Sequence, residues 1–392
     1  MPAPLQGLRV LELARILAGP WIGQTLADLG ADVIKVEAPE GDETRRWGPP
    51  FVRGPAGENL DAAYFHSCNR GKRSLIADFR TPEGQNIVRR LAQRSDLLIE
   101  NFKVGGLEKY GLDYRSLSPL NPRLIYCSVT GFGQTGPYAH RPGYDFMIQG
   151  MSGIMDLTGD PDGAPQKIGV AFADIFTGTY GVIAVLAALA QRERTGAGQH
   201  IDMALLDSMI GVLANQSLNY LVSGVVPQRM GNAHPNIVPY QTFAVQDGYV
   251  VIAVGSDAQF ARLCEFLGML SLAADSRFET NAARVTNRAE LIGALATALA
   301  GRERDEVLRA MEERGIPAGP INTLADVFSD PQVVHRQMRV DLPTSVGGTV
   351  PSVRTPITFS DAELALRRSS PRLGEHTDEI LAELGMAAGR TS

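Results

Sequence analysis

Three consecutive segments near the start constrain the fold more than anything else in the chain. Residues 8–13 read Leu-Arg-Val-Leu-Glu-Leu, residues 18–30 have helical length and character, and residues 31–37 read Ala-Asp-Val-Ile-Lys-Val-Glu. Two apolar strand runs joined by a helix form a parallel pair with a crossover, and strands of that kind are buried on both faces. The pattern repeats. Thr81 and Pro82 supply a cap and a first turn for a helix over 82–94, and apolar runs at 96–102 and 124–132 predict two more strands. The class is therefore α/β with a nucleotide-binding look. The first turn, Ala14-Arg15-Ile16-Leu17-Ala18-Gly19-Pro20, is not a GxGxxG turn, so nicotinamide and flavin chemistry lose support. In an open sheet of this type a ligand still sits beyond the carboxyl ends of the strands, which points to this turn and to the one after Glu100-Asn101-Phe102.

The middle of the chain reads as helical: one helix over 144–158, and a long apolar one from Asp174 to Arg194 that stops at Thr195-Gly196-Ala197-Gly198. A strand at 198–205 and a helix at 207–222 come next, and the Gly-, Pro- and Asn-rich stretch from Ser223 to Tyr240 reads as a connection. A strand at 249–255 and helices near 258–268, 287–300 and 303–315 then suggest a small α/β domain. Beyond it lie a helix start at Thr323-Leu324-Ala325-Asp326, a strand-like stretch at 352–359 and a closing helix from Thr377 to Leu384. With 392 residues, 44% of them apolar, the chain suits two domains.

Composition excludes several functions. A formal charge of −6 argues against a nucleic-acid partner, because phosphate backbones demand a broad basic surface. No run approaches the roughly 18 uninterrupted apolar residues of a membrane helix, and no leader pattern precedes the first strand, so a cytoplasmic protein with no membrane partner is expected. Cys68, Cys127 and Cys264 stand far apart, and the six histidines have no metal-binding spacing, so neither disulfides nor a metal are expected. A locally basic stretch, Asn69-Arg70-Gly71-Lys72-Arg73 with Arg80 beyond it, reads either as an anion contact or as a solvated loop.

The residue with the most chemical promise is Asp174, a lone carboxylate between an apolar run and a long apolar helix. Its position suits a helix N-cap. It also suits a nucleophile, since the amide groups and dipole of a helix start favour an ionised carboxylate. The residues alone leave both readings open, as they do for Gly178 and Gly181 in the first turns, which serve close packing or substrate approach.

Several stretches, taken in order, carry a resemblance that spans nearly the whole chain. They are ARILAGPWIGQTLADLGADVIKVE, NRGKRSLIADFRTPEG, ENF, SVTGFGQTGPYAHRPGYDFMIQGMSG, the segment around Asp174 with RTGAGQHIDMALLDS, and LGEHTDEIL. Together they resemble the class III coenzyme A transferases, a family that includes formyl-CoA:oxalate, carnitine and dicarboxylate CoA-transferases and the α-methylacyl-CoA racemases.

The resemblance implies a Rossmann-like large domain built from residues 1–225 and 323–392, a small α/β domain from 226–322, and two chains interlocked as a homodimer. It places the nucleophile at Asp174. Coenzyme A contacts fall on Leu17, Ala18, Ala77, Asp78, Phe79, Arg80, Asn101, Phe102, Lys103, Lys109, Arg141 and Tyr144, and Arg80, Lys103, Lys109 and Arg141 suit phosphates. The basic stretch at 70–80 becomes a functional candidate by the same resemblance. Ala38 stands where formyl-CoA transferases carry an arginine, so that phosphate contact is missing or comes from Lys35 or Arg45. The implied reaction exchanges coenzyme A between an acyl-CoA and a carboxylic acid, with coenzyme A as substrate and no permanently bound cofactor.

For a second substrate carboxylate, Arg15 and Arg46 are the expected clamp, with Arg45 and Arg229 as further candidates, which suggests succinyl-CoA and another dicarboxylate. The rival readings are a 2-methylacyl-CoA racemase and a non-catalytic acyl-CoA-binding protein. Racemases place a histidine where this chain has Tyr144, a weak base at neutral pH, and a degenerate binder would have lost Asp174.

Overall fold

The computed structural model describes residues 2–386, which divide into two compact units. The first comprises the residues up to Ile154, Lys167–Gly224 and those from Pro331 on; the second comprises Met155–Gln166 and Val225–Asp330.

The first unit is built on six parallel strands: β1 (Arg9–Glu12), β2 (Asp32–Glu37), β3 (Arg73–Ile76), β4 (Leu97–Glu100), β5 (Ile125–Thr130) and β6 (His200–Ala204). Their order across the sheet is β3-β2-β1-β4-β5-β6. The chain thus winds outward from β1 in one direction and from β4 in the other, and loops leaving these two neighbours diverge to open a crevice.

The alternation of side chains along the strands explains why both faces are covered. Val10, Val33, Leu97, Ile99, Ile125 and Cys127 share one core with helices α1 (Ala18–Asp28) and α4 (Phe172–Thr195). Their neighbours Leu11, Ile34, Leu98 and Tyr126 share another core with α2 (Pro82–Ala92) and the closing helix Thr377–Glu383. As expected from Thr81 and Pro82, the Thr81 hydroxyl accepts from the Gly84 amide and Pro82 opens α2.

Some expected elements divide. The stretch 144–158 becomes α3 (Asp145–Met151) and a separate turn, Ile154–Leu157, because Gly153 takes a φ of +89° between them. The helix expected over 207–222 becomes α5 (Leu205–Gly211) and α6 (Ala214–Ser223). The strand expected at 352–359 is instead the end of a hairpin, Arg339–Pro343 with Thr349–Val353, and Pro356 stands in the part that is not strand. Strand β3 is hidden by its composition, since the basic stretch runs directly into it. Helix α4 reaches a mean hydropathy of 1.7 over 18 residues, closer to a membrane span in length and composition than the sequence reading allows. It buries Val182, Val185 and Ala188 in the first core and carries Asp174 near its start.

The second unit holds an antiparallel sheet of β7 (Tyr240–Val245), β8 (Gly248–Ala253) and β9 (Ala318–Pro320), with β8 central. Helices α7 (Asp257–Phe266), α8 (Arg288–Leu299) and α9 (Arg304–Glu313) pack on it around Phe260, Leu263, Leu291, Leu295 and Val307. Residues 155–166 cluster with this unit, whereas the boundaries expected from the sequence assign them to the large domain. Local bonds account for this: the Gly231 amide donates to Gly159 O, and the Arg229 guanidinium lies 3.1 Å from the Asp156 carboxylate.

Candidate active site

The crevice holds a cavity of about 640 Å³ lined by the segments just beyond the carboxyl ends of the strands. Arg15–Ala18 come after β1, Ala38–Asp42 after β2, Ala77–Arg80 after β3 and Asn101–Lys103 after β4, while Thr130–Gly131 end β5. Residues 141–145 and Asp174 complete the wall. Every residue singled out for coenzyme A, together with Arg15, Arg46, Lys109 and Asp174, lines this one cavity.

The turn after β1 is held in a demanding shape. Ile16 has a φ of +71°, a region a β-branched residue rarely enters. Its amide donates to Asp42 Oδ2 (3.3 Å), and its carbonyl accepts from the Cys68 thiol (3.4 Å). The Arg15 amide donates to Asn101 Oδ1 and its carbonyl accepts from Asn101 Nδ2 (2.9 and 2.6 Å). Lys35 Nζ donates to Ala14 O (2.8 Å) and lies 3.0 Å from Asp42 and 3.2 Å from Glu12. Burial would pull the Lys35 ammonium pKa down, but Asp42, Glu12 and Glu37 outweigh it and hold the pKa above the ordinary lysine value.

Lys35 is thus a buried strut and not a phosphate ligand, and Arg45 is equally committed. The Arg45 guanidinium forks onto Glu37 (2.8 and 2.6 Å), reaches Asp61 (2.6 Å) and donates to Pro371 O, with 5% of its side chain exposed. Neither replaces the arginine absent at Ala38, which itself lines the cavity. Most of the basic stretch is corrected in the same way. Arg70 pairs with Asp28, Lys72 with Glu12, and Arg73 with Asp32, Glu379 and Glu383, so these charges stabilise the sheet. Arg80 alone of that group faces the cavity, bonded through Nε and Nη2 to Asp78. Arg229 pairs with Asp156 in the second unit and does not line the cavity.

Lys109 and Arg141 form no ion pair among the described residues, while Arg15 Nη1 lies 4.0 Å from Glu43 Oε1 in an exposed pair. Arg141 lies over Phe132 and Tyr138 (5.8 and 4.6 Å), Lys109 over Tyr110 (4.7 Å), and Arg15 over Phe102 (5.0 Å). Arg46 and Lys103 form no ion pair among the described residues. Flat aromatic supports hold such side chains near the opening without neutralising them.

Asp174 is the third residue of α4, inside the expected cap position, and Ala171 stands at the cap without a side-chain bond. The open amides are met from elsewhere: Asp145 Oδ1 accepts from the Ala173 amide (2.7 Å) and the Asp174 amide (3.3 Å). The Asp174 carboxylate is therefore not the cap. Burial, with the Asp145 charge behind it, pushes its pKa up to about 7, against the ionising tendency expected of a helix start. Two glycines bring Asp145 into place, for a Cβ on Gly143 would lie 2.2 Å from the Gly131 Cα. Sequence reasoning does not single out Asp145 or Asp42; the available signal for Asp145 is the run Val170-Ala171-Phe172-Ala173, which offers α4 no capping side chain.

Fold and cavity together define an α/β protein with a nucleotide-sized pocket at the turning point of its sheet and, in its wall, the Asp174 carboxylate with no hydrogen bond or ion pair among the described residues. Comparisons with known proteins carry this further. Residues 5–377 match the model of CoA-transferase family III. A succinate–glutarate CoA-transferase from Agrobacterium fabrum is 58% identical over 97% of this chain and 96% of its own length. A succinyl-CoA:glutarate CoA-transferase from Mus musculus is 43% identical over 97% of this chain and 86% of its own. The crystal structure of a CAIB/BAIF family protein from Brucella suis, 64% identical, superposes with a TM-score of 0.87 over 98% of this chain and 100% of that one. The chain belongs to CoA-transferase family III. It is a CoA-transferase, and CoA thioesters are its substrates.

Proposed function

We propose that this enzyme transfers coenzyme A from succinyl-CoA to a second dicarboxylate such as glutarate, through a thioester on Asp174. The observation that carries the chemistry is an Asp174 carboxylate that lines the cavity, caps nothing and is strongly basic for an aspartate. One carboxylate oxygen attacks the thioester carbonyl, the carbon–sulfur bond breaks, and coenzyme A leaves as a thiolate from a mixed anhydride. The thiolate attacks Cγ of Asp174 and expels the donor acid, leaving an aspartyl-CoA thioester. The acceptor carboxylate then attacks Cγ, and the released thiolate takes the acyl group from the second anhydride, restoring Asp174. Each hard exchange is thereby divided into steps between similar leaving groups.

Arg80, Lys103, Lys109 and Arg141 are assigned to the phosphates, the turns at Leu17–Ala18 and Ala77–Phe79 to the adenine and pantetheine, and Tyr144 to the reacting end. Arg15 and Arg46 are assigned to the far carboxylate of the acid. The succinyl-CoA:glutarate relatives support this choice of acids. The strand order supports a Rossmann-like description of the large unit. Exposed apolar side chains support a homodimer, with Phe146 and Met151 on α3, Ile183 and Leu186 on α4, and Leu221 and Val222 on α6.

The test is a panel of acyl-CoA donors against dicarboxylic acids, with the wild type and Asp174→Ala side by side and mass spectrometry of both small molecules and protein. Succinyl-CoA exchange with a protein-bound coenzyme A adduct, both absent in the variant, is the expected result. Exchange that persists in Asp174→Ala refutes the nucleophile, and α-carbon deuterium uptake without exchange refutes the transfer.

A further inference from the structure

A helix begins with amides that have no partner inside it. Where no capping residue precedes it, a carboxylate in its first turn is the natural group to take them. In α4 that carboxylate would be Asp174, because Val170, Ala171, Phe172 and Ala173 offer no side-chain acceptor. The structure instead brings in an acceptor from another helix: Asp145, the first residue of α3, takes both the Ala173 and Asp174 amides on Oδ1.

The other side of Asp145 is also fixed. Gln149, one turn on and fully buried, donates from Nε2 to Asp145 Oδ2 (2.7 Å). Gln149 Oε1 accepts from the Ile168 amide (2.9 Å), and Nε2 also reaches Val170 O (3.4 Å). The start of α3, the segment leading into α4 and the first turn of α4 are therefore tied by two side chains.

We propose that Asp145, held by Gln149, is the positioning residue of this active site: it caps α4 in place of Asp174 and so keeps the Asp174 carboxylate unbonded and turned to the cavity through every covalent state. The inference rests on the reading of Asp174 as nucleophile. Its chemical reason is specific to such a nucleophile. Along the exchange Asp174 becomes an anhydride, a thioester and an anhydride again, and in none of these does it keep the charge or the two equivalent oxygens of a carboxylate. A nucleophile that doubled as its own helix cap would release and regain those amides at each step, and its bonded oxygens would attack less readily. Delegating the cap to a residue that is never acylated leaves the start of the helix unchanged. The Asp145 charge adds to burial in keeping Asp174 basic.

Asp145→Ala and Asp145→Asn test this, with circular dichroism and melting as checks of the fold. Each is mixed with acyl-CoA, quenched in time and weighed intact for the coenzyme A adduct, and steady-state kcat and KM are measured. The alanine variant should form adduct and turn over about a hundredfold more slowly, the loss expected from misplacing a reacting group by about an ångström, with KM within about twofold. The asparagine variant keeps the acceptor oxygen and should recover to within about tenfold of wild type, limited because its amide nitrogen faces Gln149 Nε2.

Adduct formation by Asp145→Ala at the wild-type rate overturns the proposal, as does a loss confined to KM. Should the alanine variant not fold, an asparagine variant that folds and yet shows no rescue overturns it. Failure of the wild type itself to form an adduct would instead remove the nucleophile reading.

Discussion

Replacing Lys35 with methionine tests whether the turn after β1 is held by charge. The side chains of Lys35 and Glu12 are fully buried and Asp42 is 1% exposed, so water cannot replace the lost ammonium. Glu12 keeps Lys72 at 2.8 Å, but Asp42 keeps only the Thr44 amide and hydroxyl and the Ile16 amide, with no cation. Removing one partner of a buried pair costs about 3–5 kcal/mol, and the surviving Lys72 contact argues for about 3. The Ala14 carbonyl loses its 2.8 Å donor, which adds about 1 kcal/mol. The expected loss of about 4 kcal/mol is a large share of the roughly 5–15 kcal/mol that holds a folded domain. Urea unfolding followed by tryptophan fluorescence reads it in the right place, because Trp21 and Trp47 both belong to the first unit. The midpoint should fall by more than about 1 M. With Ile16 released from its left-handed conformation, KM for acyl-CoA should also rise. A loss below about 1 kcal/mol with KM unchanged would show that the turn keeps its shape without Lys35 as a strut.

Three further outcomes are expected. Attack requires the ionised Asp174, so kcat/KM should climb through pH 7 and level above about pH 8, and Asp145→Asn should move the midpoint downward by removing the neighbouring charge; a flat profile from about pH 5 to 8 contradicts this. Because folding raises the pKa of Asp174, the folded protein holds a proton between about pH 4 and 7 that the unfolded chain releases, and stability falls as pH rises through that window. Asp174→Asn should therefore melt higher at about pH 8 but not at about pH 4; the rise from 3.8 to about 7 sets a ceiling of about 4 kcal/mol, which partial exposure reduces to about 2. Gly143→Ala should lower kcat by about tenfold or more and also lower the melting temperature, with a loss of about 1–3 kcal/mol, since its Cβ meets the Gly131 backbone and the forced shift displaces Asp145.

The parts of this molecule legible in the sequence are those set by periodicity. Strands β1, β2, β4 and β5 announce themselves as apolar runs, and α2 by its Thr81-Pro82 start. Strand β3 is not legible because Arg73 and Ser74 are polar, and only the tertiary structure supplies Asp32, Glu379 and Glu383 to bury the arginine. The same blindness misreads Lys35, Arg45, Arg70 and Lys72, for a string of letters does not reveal which cations already have carboxylates. The cavity residues come from resemblance, and their convergence on one crevice follows from the turning point between β1 and β4. Asp145 lies outside the sequence reading since its task is defined by a helix that starts 27 residues later, at Phe172.

The outer edge of β3 is closed by residues near the far end of the chain. The His376 amide donates to Ser74 O, the Ser74 amide to His376 Nδ1, and the Ile76 amide to Thr377 Oγ1, while Arg73 waits for Glu379 and Glu383. Some 300 residues separate these partners, as the Ser74–His376 pair shows. A ribosome adding about 5–20 residues per second needs tens of seconds to bridge that gap. Throughout that time a strand edge with open amides, and an Arg73 partnered by Asp32 alone, faces water or a chaperone, the condition in which sheets recruit foreign strands. The large unit thus closes late in synthesis, while the second unit, whose residues are all in hand by Asp330, can fold before it.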